Sequence, residues 1–461
     1  MVIGKFYMSW GTSMSINENI DSSTLLEIKG SFNDTPEKMA IRNAIINNGI
    51  NKVAFNNNSL IKMQHTYSNE IATGKATAQE KSGRCWIFAG LNMLSIHVAK
   101  QFNIKEFEFS QNYIFFWDKF EKSNYFLEKI IETADEHIYS RVVMWLLSAP
   151  MQDGGQWDMF SNLVKKYGSV PKYIMPETFH SSNSQIMDRI LTTKLREFAK
   201  VLRLMKKNGE STDKLKSEKV NMLKEIYNML VMFLGTPPEI FDFEYDDDDG
   251  VFHQNTDLTP LEFFNYYVNV DLYDYISIIN APSEDKPFNQ SFTVKYLGNV
   301  IEGREVFYLN VDKKIMKELA KKQLLNDEPV WFGCDVGKMS HREKGILDSE
   351  LYLYSDALGV KFNLDKASRL EYGESLLTHA MLFTGVNILK GKTDRWKVEN
   401  SWGTTAGKDG FFVMSDKWFE DYTYQVVIRR EYLSDKLLEA IKKPVVSLEP
   451  WDPMGALANV Q

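Results

Sequence analysis

The chain changes period along its length, and that change restricts the fold more than any single motif does. Between residues 182 and about 234, Ile186, Ile190, Leu191, Leu195, Phe198 and Leu202 form one apolar stripe at helical spacing. Asn208-Gly209 breaks it, and Leu215, Val220, Leu223, Ile226 and Leu230 form the next. Late in the chain the spacing shortens: residues 376–388, 395–400, 410–414 and 423–429 are short β-rich runs parted by Gly and Asp. A segment patterned for one period buries its apolar face poorly in the other. Helices mostly first and strands mostly last predict an α+β protein, with the strands in an antiparallel sheet or barrel.

Local signals place further elements. Pro36 suits a first helical position and Gly49 a cap, which predicts a helix over residues 35–48. From Cys85 onward, Phe88, Leu91, Leu94 and Ile96/Val98 predict a helix buried along one face, with Cys85 at its N-terminal end. Further helices are expected after Ser110 and from Gln156 to a stop at Gly168. Thr236-Pro237-Pro238 ends the helical stretch. Residues 241–253 then read as a hairpin turning at Asp246-Asp247-Asp248-Asp249-Gly250. That acidic run fails as a calcium loop, because Gly250 would put Tyr245 at the first ligand position. Cys334 falls in a buried strand and reads as structural.

Composition narrows the setting. With 461 residues, 44% hydrophobic and 25% charged, the chain can bury a large core and is not of the disordered class. A formal net charge of −8 gives no general reason to expect nucleic-acid binding. Two cysteines are fewer than a secreted chain of this size usually carries, and Met1 to Trp10 lack the sustained apolar core of a signal peptide. The longest apolar run, near residues 229–234, falls far short of the ~18 residues a membrane span needs. A cytoplasmic protein without a membrane span is expected. No His/Cys/Asp/Glu cluster has ligand spacing, so neither a metal nor a cofactor is predicted.

Three separated segments carry chemistry. In Gln79-Glu80-Lys81-Ser82-Gly83-Arg84-Cys85-Trp86-Ile87-Phe88, a thiol sits where a helix begins. Only the thiolate is a useful nucleophile, and unpaired N–H groups at a helix N-terminus favour it. A thiolate needs an imidazole to pair with and later to protonate a leaving amine. Of seven histidines, His379 stands out, inside the apolar β-run Leu376-Leu377-Thr378-His379-Ala380-Met381-Leu382-Phe383. In Glu399-Asn400-Ser401-Trp402-Gly403, the Asn400 oxygen can accept the imidazole N–H and fix its tautomer, with Trp402 roofing that bond against water.

Taken together, in the order Cys, His, Asn, these segments resemble the papain-like cysteine peptidases. The resemblance implies a helical left subdomain and an antiparallel β-barrel-like right subdomain. It assigns Gln79, with the Cys85 backbone N–H, to an oxyanion hole. It also aligns Gln152-Asp153-Gly154-Gly155 with the glycine pair that in this family meets substrate backbone, where no Cβ obstructs the approach. Secreted relatives hold a disulfide at the positions of Ser82 and Gln152, and its absence fits a reducing compartment. His379 lies nearly three hundred residues past Cys85, against the roughly 130–150 usual in the family, so the 182–234 hairpin and its neighbours are read as insertions.

Four phrases narrow the resemblance to the bleomycin hydrolase / aminopeptidase C group. They are Ser82 to Phe88, Gly154-Gly155-Gln156-Trp157-Asp158-Met159-Phe160, Val330 to Lys338 and Trp451-Asp452-Pro453-Met454-Gly455-Ala456-Leu457-Ala458. That group implies a homohexamer acting on peptide substrates, with a C-terminal arm in each cleft whose carboxylate holds the substrate's α-amino group. Pro453 and Gly455 suggest an extended arm, and Ala458 is the expected anchor once the enzyme has removed Asn459-Val460-Gln461. The first fifteen or so residues stand outside the resemblance. The expected divisions are 1–70 for an N-terminal extension, 71–175 for the Cys85 subdomain and 176–260 for the helical and β-hairpin insertion. The β-rich subdomain with His379 and Asn400 follows over 261–435, and the arm over 436–461. An aminopeptidase is the leading expectation; an endopeptidase on the same scaffold and a nucleic-acid-binding chamber protein are its rivals.

Overall fold

The computed structural model describes residues 19–459. Expectations about the first fifteen residues lie outside the described part, as does the removal of Asn459-Val460-Gln461 apart from the backbone of Asn459.

Two compact units are present. The smaller consists of residues up to Phe55 with Leu353–Lys361. Its longest helix, Pro36–Asn48, starts where the sequence predicts: the Thr35 hydroxyl accepts the Lys38 N–H, Pro36 follows, and Gly49 at φ 78° ends it. The segment Leu353–Lys361 joins this unit through the Leu353 N–H on the Ala54 carbonyl at 2.7 Å.

The larger unit spans Asn56–Tyr352 and residues from Phe362 onward, and it contains every candidate site residue. Its helices are Cys85–Gln101, Gln111–Glu132, Trp157–Tyr167, Gln185–Lys207 and Thr212–Leu234, with shorter ones between. Ser110 and Ser211 cap two of them through their side chains, the usual way of satisfying first-turn N–H groups. The helical hairpin turns at Asn208-Gly209, and the acidic run forms the turn between strands Phe241–Asp246 and Phe252–Leu258.

The Cys85 helix departs from its expected pattern. Every residue from Cys85 to Leu94 is buried, not one face alone. The helix lies between the Gln111–Glu132 and Trp157–Tyr167 helices on one side and the His379 strand on the other. This first part of the helix has no solvent face to keep polar, whereas His97, Lys100 and Gln101 beyond it are exposed.

The β-rich runs assemble into one twelve-stranded sheet. Strand Val330–Cys334 lies centrally, flanked by Thr423–Arg429 and His379–Leu389, and Lys392–Glu399 follows on the far side of the His379 strand. Most pairings are antiparallel as expected, but three are parallel: Tyr275–Ile279 with Tyr308–Asn310, Gln290–Val294 with Val446–Leu448, and Ile346–Leu347 with Phe411–Ser415. Cys334 is fully buried and stands opposite His379 in the register.

Candidate active site

The loop before Cys85 is held by its own side chains. The Ser82 hydroxyl donates to the Gln79 carbonyl at 2.6 Å, and the Arg84 Nε donates to the Ser82 hydroxyl at 2.8 Å. Arg84 is wholly buried and makes a two-pronged pair with Glu177 at 3.0 and 2.8 Å. The Gly83 N–H donates to Asp153 Oδ2 at 2.7 Å. A β-carbon on Gly83 would stand 2.7 Å from that of Asp153, so glycine is needed for the approach.

Asp153 belongs to a buried charge cluster. Lys119 reaches both Asp153 and Asp188 at 2.6 Å, and the Ser184 hydroxyl donates to Asp153 Oδ2. Burial alone would raise the Asp153 pKa. The Lys119 ammonium and the Gly83 N–H outweigh that and hold the carboxyl well below the usual range. Asp188 goes the other way, to about 7, through burial first and then the negative charge of Asp153. Sequence reading missed this cluster, although Asp153 stood inside a quoted motif. Lys119 and Asp188 lie 34 and 35 residues from it in opposite directions, beyond any local period.

Cys85 opens its helix and is 4% exposed. Its sulfur accepts the Ala380 N–H at 3.4 Å, so the residue after His379 touches the thiol directly. His379 Nε2 lies 2.9 Å from Asn400 Oδ1, and the Ser401 N–H donates to that same oxygen at 2.8 Å. Since a backbone N–H faces the atom, it must be the amide oxygen, and Nε2 must carry the hydrogen. Nδ1 is then the ring nitrogen able to accept a thiol proton. The Trp402 ring lies 5.1 Å from the imidazole, tilted by 36°.

Burial pushes the Cys85 thiol up to about 11; the N–H groups of Ala380, Trp86 and Cys85 oppose it, the last two from the start of the helix and in the direction expected there. Burial likewise lowers His379 to about 4, against the bond from Asn400.

Gln79 is placed by Ser401, whose hydroxyl donates to Gln79 Oε1 at 2.6 Å. The Gln79 amide nitrogen donates to the Ser82 carbonyl at 2.5 Å and keeps a second N–H. Gln79, Cys85 and His379 line one cleft of about 730 Å³, together with Gly83, Asp153, Asp188 and Leu457.

The segment from Trp451 to Ala458 occupies part of this region. Arg141 stacks 3.5 Å above the Trp451 ring, Lys286 pairs with Asp452 at 2.8 Å, and the Tyr308 hydroxyl donates to the Met454 carbonyl at 3.1 Å. Pro453–Asn459 is a 3-10 helix, not the extended arm expected. Proline fits a first helical position because its missing N–H would have no partner there, and the Asp452 side chain accepts the Met454 N–H in its place. Leu457 and Ala458 are buried and cross the face of Gly154. The two glycines differ in neighbours: Gly154 meets the Leu457–Ala458 backbone, and Gly155 packs against the Trp86 ring.

Comparison with known proteins follows the same pattern. A model of the Peptidase C1-like family matches residues 19–455. Aminopeptidase C of Listeria monocytogenes is 48% identical over 427 residues, covering 93% of this chain and 96% of that one. Aminopeptidase C of Lactobacillus delbrueckii subsp. lactis is 44% identical over 446 residues, covering 96% and 99%. The solved structure of PepW from Lactobacillus rhamnosis superposes with a TM-score of 0.93 at 50% identity, covering 95% of this chain and 99% of that one.

Proposed function

The chain belongs to the Peptidase C1-like family and is a cysteine-type peptidase, and from that premise we propose that it is an aminopeptidase releasing single N-terminal residues through a Cys85 thioester. His379 Nδ1 takes the thiol proton as the sulfur attacks the first peptide carbonyl carbon. The oxygen that gains charge is met by the Cys85 backbone N–H and by the spare N–H of Gln79. Collapse breaks the C–N bond, and His379 returns the proton to the departing amine. Water, deprotonated by the same nitrogen, then attacks the thioester carbon; the C–S bond breaks, the amino acid is freed and His379 returns the proton to the departing sulfur. Asn400 keeps the ring in the tautomer that both transfers require.

One observation favours removal from the N-terminus over internal cleavage: the Leu457–Ala458 backbone lies against Gly154 within the cleft region. An arm there leaves room for a short stretch of substrate ahead of the scissile bond and puts the Leu457–Ala458 segment near the substrate's amine. Broad side-chain tolerance accords with walls that mix small residues, Ser148 and Ala149, with long polar ones. On the same reading the chain forms a homohexamer, works on peptides in the cytoplasm, and binds neither membranes nor nucleic acid. Sedimentation velocity of the purified protein tests the assembly.

The deciding experiment compares leucyl-aminomethylcoumarin with its N-acetyl counterpart, using the native chain and Cys85→Ala. Hydrolysis of the free-amine substrate alone, abolished in the variant, is expected. Activity surviving Cys85→Ala would overturn the thioester mechanism, and equal cleavage of the blocked substrate would overturn the aminopeptidase reading.

A further inference from the structure

Apart from His379, the catalytic groups come from the Gln79 loop, the adjoining Cys85 helix and, far along the chain, the residue after the strand that ends at Glu399. One side-chain amide ties all three. Asn92 lies on the Cys85 helix about two turns past the nucleophile and is 7% exposed. Its Nδ2 donates to Glu399 Oε1 at 2.7 Å and to the Thr77 hydroxyl at 3.0 Å. Glu399, 5% exposed, directly precedes Asn400. Thr77 lies two residues before Gln79, and its carbonyl accepts the Gly403 N–H at 2.9 Å.

We infer that Asn92 and Glu399 are a positioning pair, setting the Cys85 helix, the Gln79 loop and Asn400 in their working alignment. Neither touches the reacting atoms; each acts through a neighbour that does. A buried acid in a pure packing role would be an expensive choice, since an apolar residue fills the same volume without desolvation cost. Among the described residues, Glu399 Oε2 has no hydrogen-bond partner. Burial raises this carboxyl to about 7, with the Asn92 bond opposing. Oε1, the acceptor for Asn92, is what the pair requires, whichever protonation state the acid holds. Gln retains that acceptor and the shape; Ala retains neither.

This rests on the peptidase reading, with the activity of the native chain as baseline. Kinetics on leucyl-aminomethylcoumarin would be measured for Asn92→Ala, Glu399→Ala and Glu399→Gln, together with thermal midpoints and the pH dependence of Cys85 alkylation by iodoacetamide. Misalignment of about 1 Å can cost on the order of 10²-fold. Expected are kcat losses of about 10- to 100-fold in the two Ala variants at nearly constant KM, a displaced alkylation profile, and recovery of most of the rate in Glu399→Gln. Should Glu399→Ala fail to fold, Asn92→Ala and Glu399→Gln carry the test. Unchanged kcat in Asn92→Ala would overturn the inference, as would Glu399→Gln with a rate as low as that of Asn92→Ala. Losses that follow the thermal midpoint with an unmoved alkylation profile would also overturn it. A native chain whose activity survives Cys85→Ala would break the function reading instead, a separate result.

Discussion

Gly154 stands so close to Leu457 that a β-carbon built on it would lie 2.1 Å from the Leu457 carbonyl oxygen. Backbone on both sides leaves nothing flexible to yield. Gly154→Ala is therefore expected to lift the C-terminal segment from its seat while leaving the turn itself in place, since Lys122 holds the Gln152 and Gly154 carbonyls at 3.0 and 2.6 Å. The expected outcome is a fall of about tenfold or more in kcat/KM for free-amine substrates. Measurable cleavage of N-acetylated ones should accompany it. Paired assays on the two substrates check this, and an unchanged ratio would count against the proposed role of the arm.

The Lys119 cluster predicts a large stability effect. Lys119→Met leaves the buried Asp153 carboxylate, with the Asp188 carboxyl beside it, without the ammonium that both contact. Removing one member of a buried ion pair typically costs about 3–5 kcal/mol. Urea unfolding should show a loss of that order, with the Gly83 loop loosened and activity reduced alongside.

Ser401 predicts a kinetic effect with little change in stability. Its hydroxyl is the group that fixes Gln79 Oε1. Ser401→Ala should lower kcat by about tenfold with KM nearly unchanged, less than the roughly 10²–10³ for outright loss of an oxyanion donor. Steady-state kinetics on one free-amine substrate suffice.

His379 predicts an acid limb in stability. Folding lowers its pKa from 6.5 to about 4, so the unfolded chain takes up the proton first as pH falls. The stabilisation is fully present above about pH 6.5 and is lost as pH falls toward 4, by up to about 3 kcal/mol. Urea midpoints from pH 7 to pH 4 should fall more steeply in the native chain than in His379→Asn. Equal slopes would show that the ring is not buried in the neutral form.

Much of this molecule can be read from sequence because its signals are local. The caps at Thr35 and Ser110, the Asn208-Gly209 break and the Asp-Gly turn each sit within a few residues of what they control. Cys85, His379 and Asn400 stand out because unusual chemistry interrupts a regular pattern. Interactions that join distant segments leave no such trace. Asn92 and Glu399 are 307 residues apart, and each alone reads as an ordinary polar residue in its element. The three parallel strand pairings escaped for the same reason. Pro453 and Gly455 misled through propensity alone, since the Asp452 cap and a buried seat allow a tight helical turn.

The Lys119 cluster also bears on how this scaffold could be taken apart. Asp188 and Ser184 belong to the start of the helical insertion, yet they complete the shell around Asp153, which in turn sets Gly83 beside the nucleophile. Lys81 adds a main-chain tie to the same region through the Ser182 carbonyl at 2.9 Å. Excising residues 185–234 to obtain a smaller enzyme would thus withdraw the Asp188 carboxyl from Lys119 and loosen the turn that precedes the thiol. The insertion is not a modular decoration; a minimal version of this fold would need a new group in the place of Asp188 beside the Lys119–Asp153 pair.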